Sequence, residues 1–300
     1  MIQEERSLRA SLMWRVDLGA TPDERKAWID GLAPVSGFGD QWLSIWGLKV
    51  VMDGGVEAGY FHDAYANDPN FHGFPLTTQE NLEAILEQAQ RLDWRVGIHV
   101  VGDAAMVMAL DAFEATDARH SSDASHSSRG RGHALKHAFS PVPGAIERAR
   151  DAGIGITLQH ALVYSLAGNM KTYWGDQRAA ECTPSRAWID SGAVVGAGTD
   201  SPVTSHDPWL NVYGFATRDT QSAGVQGPQH RISVAEALRC YTVDSAAILG
   251  QEQFLGSLEL GKAADFICLD RDPLDSSTEE VRQMTVTRTV VSGRQVFSAR

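Results

Sequence analysis

Residues 95–103 read RVGIHVVGD, an apolar run that contains one histidine and ends in a glycine and an aspartate. A short apolar run bounded by turn residues is typical of a strand buried on both faces of a parallel sheet. His99 lies near the carboxyl end of the run, the end at which α/β barrels gather their functional side chains. We therefore predict a parallel strand over Arg95–Val100 that presents His99 at an active-site edge.

Five further apolar runs predict neighbouring strands of the same sheet. They are Leu12–Leu18, Ile45–Met52, His133–Phe139, Ile154–Leu158 and Ala193–Ala197. Helical patterns lie between them, most clearly over Gln79–Trp94, where Thr77 and Glu80 have the spacing of a capping box. Ser233 and Glu236 repeat that spacing at a later helix. Strands that alternate with helices predict βαβ units and a mainly parallel sheet.

The chain changes in character at two places. Ser121–Gly132 is rich in Ser, Gly and Arg, which predicts a surface insertion, and we interpret His120, His126 and His133 as part of this solvated region. After Gly256 short strand-like runs are joined by polar turns. These runs are Ala264–Leu269, Thr285–Val291 and Gln295–Phe297. We interpret residues 1–255 as an α/β body and residues 256–300 as a small β module.

Composition excludes several classes of protein. The chain has 300 residues, with 38 acidic and 26 basic side chains and a net charge of −12, which argues against nucleic-acid binding. No apolar run reaches the length of a membrane span, and the first ten residues lack the pattern of a secretory signal. Three widely spaced cysteines argue against a disulfide framework and favour the reducing cytoplasm. We therefore expect a cytoplasmic protein that binds neither nucleic acid nor a membrane.

Four polar residues lie at or near the carboxyl ends of predicted strands. They are Lys49 in WGLKVVMDGG, His99, His137 in HALKHAF, and Asp200 at the end of GAVVGAGTD. In a parallel barrel these ends converge on one mouth, and two imidazoles with a carboxylate form a set of Zn²⁺ ligands. A lysine ammonium, with a pKa near about 10.4, does not bind a metal. Carboxylated by CO₂, however, Lys49 becomes an anionic carbamate that can bridge two metal ions.

Each of these residues also has a structural interpretation. A single strand histidine is more often a core residue, and a strand lysine is more often a surface charge with a buried stem. An aspartate after a glycine-rich strand end is often a helix or turn cap. The occurrence of such residues on several strands in order favours metal chemistry, but the residues alone leave both interpretations open.

A family resemblance resolves this ambiguity. Lys49 with Asp53-Gly54, Ile98-His99 with Gly102-Asp103, and Gly198-Thr199-Asp200 with Pro202-Val203 resemble the amidohydrolase superfamily, specifically amidohydrolase family 3. That branch includes enzymes similar to N-substituted formamide deformylase. The run Gly256-Ser257-Leu258 followed by Gly261–Asp265 resembles the same family, and the similarity covers about residues 10–297.

The resemblance implies a (β/α)₈ barrel with a β-sandwich made from both chain ends. Residues 1–255 would then form a partial TIM-like barrel, strands 3 to 8, and residues 256–300 the C-terminal part of the sandwich. His99 and His137 would bind the second of two metal ions, Lys49 would be the carboxylated bridging lysine, and Asp200 would bind the first ion and shuttle a proton. The resemblance places Asp53 and Asp103 beside these ligands or in the substrate pocket. His160 stands where the family often has proline after Gln159, and it or another loop residue is a candidate to stabilise the oxyanion.

The implied activity is the hydrolysis of a non-peptide carbon–nitrogen bond in an amide, formamide or cyclic amide. The attacking water molecule would be activated by one or two divalent metal ions, which we expect to be zinc. Two alternatives remain open: a catalytically inactive fragment, and a metal hydrolase that acts on another bond such as an ester. The inactive fragment is an alternative because the H-x-H ligand pair of the family's first strand has no match in this chain. The chain also has Lys136 where the family usually has Glu. We expect the coding sequence to continue upstream of Met1. We also expect the open sheet edges to pair with that missing segment or with a second copy of the chain.

Overall fold

The computed structural model describes residues 8–32, 36–119 and 130–299. His120, His126 and most of the predicted insertion Ser121–Gly132 lie outside the described residues. Within them, six parallel strands form one sheet, each hydrogen-bonded to the next in chain order. The strands are β1 Ala10–Arg15, β2 Leu43–Val51, β3 Val96–Val100, β4 Ala134–His137, β5 Gly155–Leu158 and β6 Val195–Ala197.

Helices follow the strands and cover one face of the sheet. They are α1 Pro22–Gly31, α2 Gln79–Arg91, α3 Asp103–Arg119, α4 Ala145–Asp151, α5 His160–Trp174, α6 Asp176–Glu181, α7 Ser185–Asp190, α8 Pro208–Thr217, α9 Val234–Arg239, α10 Ser245–Leu249 and α11 Thr278–Arg282. Strand residues such as Leu48, Ile98 and Leu135 are fully buried and belong to the same core cluster as Leu82 of α2 and Ala109 of α3. The predicted class, an α/β fold with an incomplete TIM-like barrel, is confirmed, and the sheet curls as a half-barrel.

An apolar cluster closes the base of the half-barrel. Leu12 pairs with Ile45 and Met13 pairs with Gly47, so Trp46 is the extra residue of a β-bulge in β2. The indole of Trp46 donates a hydrogen bond of 2.8 Å to the carbonyl of Ile248 in α10. The side chain of Ile248 in turn fills the space in front of the glycines of β5 and β6, Gly155 and Gly196.

The C-terminal residues form a separate antiparallel sheet in the order β7–β8–β9. Its strands are β7 Phe266–Leu269, β8 Val286–Val291 and β9 Arg294–Ser298. Between β7 and β8 the chain returns to the barrel helices through α11. There Arg282 donates a hydrogen bond of 3.0 Å to the hydroxyl of Tyr164. The small sheet is therefore connected to the larger one by side-chain contacts as well as by the chain.

Two local predictions need correction. The side chain that caps α2 is Thr78 and not Thr77, because the Thr78 hydroxyl accepts the hydrogen bond from the Asn81 N–H. His133 is not solvated: it is 1% exposed, and its Nδ1 accepts a hydrogen bond of 2.9 Å from the Val96 N–H. The strand β4 begins directly after it, so His133 already belongs to the sheet. The capping box of Ser233 and Glu236 is confirmed at α9.

Two general properties agree with the composition. Across residues 8–32, 36–119 and 130–299, no helix has the length and apolar character needed to cross a membrane. All three cysteines are free thiols; Cys182 and Cys240 are buried, and Cys268 is partly exposed.

Candidate active site

Two histidine rings meet at the carboxyl ends of β3 and β4. His99 and His137 lie edge to face, with ring centroids 4.5 Å apart and an interplanar angle of 74°. The register explains why this contact is unusual, because His137 pairs with Val100, the residue after His99. Successive residues of a strand point to opposite faces of a sheet, so a regular strand would separate the two rings.

The backbone of β4 brings His137 to the other face. His137 has φ of 72° and Ala138 has φ of 45°, both in the left-handed region that residues with side chains rarely adopt. This break in the extended conformation ends β4 and turns the His137 side chain towards His99. Such strained backbone persists where the surrounding structure enforces it, and it concentrates at functional sites.

Both imidazoles are held neutral, and for His99 the tautomer follows from the contacts. Its Nε2 lies 3.1 Å from the Gly54 carbonyl oxygen, which can only accept, so Nε2 carries the proton and Nδ1 is free to bind a metal. Burial lowers the pKa of His99 to about 4 and the pKa of His137 well below its ordinary value. Nδ1 of His137 is buried and has no partner in the described part of the chain.

Asp53 connects the loop after β2 to the end of β3. Its fully buried carboxylate accepts backbone hydrogen bonds from Tyr60 at 2.9 Å, Val101 at 3.0 Å and Gly102 at 2.8 Å. Burial raises the pKa of Asp53 to about 7, and the three N–H groups act in the opposite direction. A side chain at Gly102 would collide with the Tyr60 carbonyl, so the approach of the two segments requires glycine there. Asp53 thereby fixes the start of the loop that carries the Gly54 carbonyl.

Lys49 and Lys136 make the interior of the half-barrel cationic. Burial, with the nearby charge of Lys136, lowers the pKa of Lys49 to about 8, while Asp200 opposes that change. Burial lowers the pKa of Lys136 to about 8 as well, and its Nζ lies 4.9 Å from the ring centroid of Trp46. In their ammonium forms both lysines disfavour a metal ion nearby.

Asp200 lies beyond the end of β6, on a turn with φ of 61°. Partial burial raises the pKa of its carboxyl group, and the nearby charge of Lys49 lowers it. Within residues 8–32, 36–119 and 130–299, the Asp200 carboxylate has no hydrogen-bond donor. The backbone of the turn therefore sets where this exposed side chain leaves the chain.

The remaining predicted residues connect elements around the site. Asp103, at the start of α3, accepts a hydrogen bond of 2.8 Å from the His62 N–H. His160, the first residue of α5, is fully buried, and its ring packs 5.4 Å from that of Phe215. A side chain at Gly214 would collide with the same imidazole. Neither Asp103 nor His160 shares a described hydrogen bond with the four predicted ligands.

Some of the four predicted ligands, Lys49, His99, His137 and Asp200, are suited to bind a metal ion. Across the described ranges, no group of three or more His, Cys, Asp or Glu side chains is close enough to hold an ion. The histidine pair fits, because burial disfavours the charged form of both rings and the buried Nδ1 of His137 has no hydrogen-bond partner among the described residues. Lys49 fits only as an anionic carbamate.

Asn211 was missed by the sequence analysis. It is fully buried on α8, and its side chain bonds to the segment that leads into Asp200. The available signal was a single amide in the apolar run WLNVYGF, where a buried polar side chain needs specific partners.

The comparisons with known proteins agree on one family. A family model described as "Amidohydrolase family" matches residues 2–297. The N-substituted formamide deformylase of Arthrobacter pascens is 32% identical over 207 residues, which are 69% of this chain and 37% of that protein. The protein LONG AFTER FAR-RED 3 of Arabidopsis thaliana is 28% identical over 263 residues, 86% of this chain and 44% of that protein. The chain thus spans less than half the length of these curated relatives.

A solved structure shares the architecture. An uncharacterized metal-dependent hydrolase from Pyrococcus horikoshii superposes with a TM-score of 0.74 at 25% identity, covering 91% of this chain and 52% of that one. The superposition therefore leaves less than a tenth of this chain unmatched, while about half of the other chain has no counterpart here. From the family model, the relatives and this superposition together, we conclude that the chain belongs to the amidohydrolase family.

Proposed function

We propose that the protein is a metal-dependent hydrolase of non-peptide carbon–nitrogen bonds. The observation that carries this proposal is the pair of neutral imidazoles, His99 and His137, which the strained end of β4 brings together. Two histidines at the mouth of a parallel α/β sheet are a common beginning of a metal centre. Membership of the amidohydrolase family supports the class of reaction.

The residues that would hold the metal are His99, His137, Asp200 and, as a carbamate, Lys49. A divalent ion there would supply Lewis acidity for the carbonyl of the substrate and for a water molecule. Zinc is the ion we propose, because two histidines with a carboxylate are a typical zinc donor set.

Asp200 is the proposed proton shuttle. It takes a proton from the attacking water as general base and delivers it to the leaving nitrogen as general acid. The water oxygen bonds to the carbonyl carbon, the carbon–nitrogen bond breaks, and the products are a carboxylic acid and an amine. The absence of a described hydrogen bond to its carboxylate leaves Asp200 able to accept and release that proton.

The substrate class follows from the relatives. N-substituted formamide deformylase is named for a formamide, and two other relatives are named imidazolonepropionase, for a cyclic substrate. We propose a small formamide, amide or cyclic amide as substrate, and a cytoplasmic location.

One experiment separates this proposal from its two alternatives. The 300-residue chain is assayed, with and without added Zn²⁺, on a panel of N-formyl and N-acyl amines, a cyclic amide and matched esters. Metal-dependent turnover of the amides supports the proposal, and faster turnover of the esters supports a hydrolase of another bond. If the chain neither binds Zn²⁺ nor turns over any compound, the inactive alternative is correct for this chain.

A further inference from the structure

Asn211 connects three elements that meet beneath Asp200. Its Oδ1 accepts a hydrogen bond of 2.5 Å from the Ala161 N–H at the start of α5. Its Nδ2 donates to the Gly198 carbonyl at 2.8 Å and to the Tyr241 hydroxyl at 2.6 Å. All the polar atoms of this fully buried side chain are therefore satisfied, which offsets the cost of burying an amide.

The contact with Gly198 is the one that concerns the active site. Gly198 lies two residues before Asp200, and its own N–H donates to the Leu158 carbonyl of β5 at 3.1 Å. Gly198 is thus hydrogen-bonded through its N–H to the sheet and through its carbonyl to α8. Beyond it, the turn is closed locally, since the Asp200 carbonyl accepts from the Val203 N–H at 2.8 Å. No described donor binds the exposed Asp200 carboxylate, so these backbone contacts are the ones that fix where the side chain leaves the turn.

We propose that Asn211 is a positioning residue for Asp200. It acts through the Gly198 carbonyl, holding the turn in the left-handed conformation that aims the carboxylate into the half-barrel. The proposal rests on the proton-shuttle role proposed above for Asp200. A general base must lie within hydrogen-bond reach of the proton it takes, and a misplacement of about 1 Å can cost about 10²-fold in rate.

Asn211→Asp and Tyr241→Phe form a matched pair of variants. The first keeps an acceptor for Ala161 but loses the donor to Gly198 and places an oxygen against that carbonyl. The second removes only the hydroxyl that Asn211 also contacts and leaves the Gly198 hydrogen bond intact. If Asn211→Asp does not fold, Asn211→Ala replaces it, because alanine favours the helix and brings no charge.

The first readout does not need activity. Hydrogen–deuterium exchange of the full chain is followed at the Val203 and Thr204 amides and, as an internal reference, in β3. We expect Asn211→Asp to speed exchange in the turn at least about tenfold, and Tyr241→Phe and the β3 amides to change by less than about threefold. Unchanged exchange in the turn, or equal acceleration in β3, overturns the proposal whether or not the protein is an enzyme.

The second readout is the coupling of Asn211 with Asp200 in the kinetics of any substrate that is turned over. We expect Asn211→Asp to lower kcat at least about tenfold with KM within about twofold. In an Asp200→Asn background the same change should have no further effect, since both act on one step. An additive loss in the double variant would contradict positioning through Asp200, and absence of turnover in the unaltered chain would contradict the proposed function only.

Discussion

Arg9 and Asp265, separated by 256 positions in the sequence, form an ion pair in which Nε and Oδ2 are 2.6 Å apart. A second hydrogen bond, of 3.1 Å, joins Nη2 to Oδ1, so the guanidinium and the carboxylate meet in a bidentate arrangement. The guanidinium also lies over the ring of Trp42, 4.4 Å from its centroid. This one side chain therefore links the residue before β1 to the residue before β7.

Arg9→Ala should lower the free energy of unfolding by about 2 kcal/mol, because it leaves the partly buried Asp265 carboxylate unpaired and removes the stacking on Trp42. Urea unfolding at pH 7 measures the change. Arg271→Ala is the control: Arg271 pairs with Asp270 beside the same sheet but is more exposed, so its effect on the free energy of unfolding should be clearly smaller. Equal effects of the two variants would show that the Arg9 contacts contribute no more than an ordinary surface pair.

The proposed metal site can be tested at its two histidines, His99 and His137. His99→Ala and His137→Ala should each abolish retention of one weakly held divalent ion, because each removes one of the two neutral imidazoles. Zinc per chain, measured by elemental analysis after desalting, is the readout. His72→Ala removes an exposed ring whose described hydrogen bond is to the His62 carbonyl, and it should leave the zinc content unchanged. Unaltered zinc in both active-site variants would locate the metal elsewhere.

The Asp200→Asn variant measures how much the Asp200 carboxylate contributes to the rate. The change is nearly isosteric and removes the proposed general base, so kcat should fall by at least about 10²-fold while the fold survives. Steady-state kinetics on the best substrate of the panel, together with circular dichroism, measures both. Asp176→Asn, in an exposed ion pair with Lys171, is the control and should leave kcat unchanged. Near-normal turnover of the Asp200 variant would assign proton transfer to another group.

Glu236, in the capping box of α9, should make the free energy of unfolding depend on pH. Glu236 accepts from the Ser233 N–H at 2.7 Å and pairs with Arg186 at 2.8 Å, and this pairing lowers its pKa to about 2. A carboxyl group whose pKa is lowered on folding stabilises the protein fully above its ordinary pKa near 4.5, and the contribution is lost as the pH falls towards 2.

Glu236→Gln should therefore cost about 1 kcal/mol at pH 7 and progressively less below pH 4.5. Chemical unfolding at several pH values, compared with the unaltered chain, gives the dependence. Glu24→Gln is the matched control, since Glu24 forms the same capping box with Thr21 but has no described ion pair. A constant difference between the unaltered chain and Glu236→Gln over pH 7 to 3 would contradict the role of the Arg186 pairing.

The strands of the parallel sheet were predictable because they are buried on both faces and therefore consist of short apolar runs. Runs such as Arg95–Val100 and Ile154–Leu158 are apolar on both faces, and glycine or charged residues mark their ends. The β-bulge at Trp46 was not predictable, because the indole turns inward to bond a carbonyl on α10, about 200 residues later in the chain. Thr78 replaced Thr77 as the cap for a similar reason, since the angle at which a loop enters its helix depends on tertiary contacts.

Candidate site residues could be named from the sequence, but the geometry between them could not be predicted. His99 and His137 were marked by their places at strand ends, whereas the contact between them depends on the left-handed backbone at His137 and Ala138. Asn211 gave only a weak signal, because an isolated asparagine on a helix acquires its meaning from three partners distant in the sequence.

The buried Asp53 carboxylate also determines how a ligand can reach the histidine pair. The loop after β2 is held at its root by Asp53, and further along the Trp174 indole donates to the Val56 carbonyl at 2.9 Å and the Ala66 N–H donates to the Tyr173 carbonyl at 2.7 Å. A loop anchored at three points is a fixed wall and not a lid. We therefore expect a ligand to reach the proposed site without this loop opening, so that the rate of its capture is insensitive to solvent viscosity beyond the effect of diffusion itself.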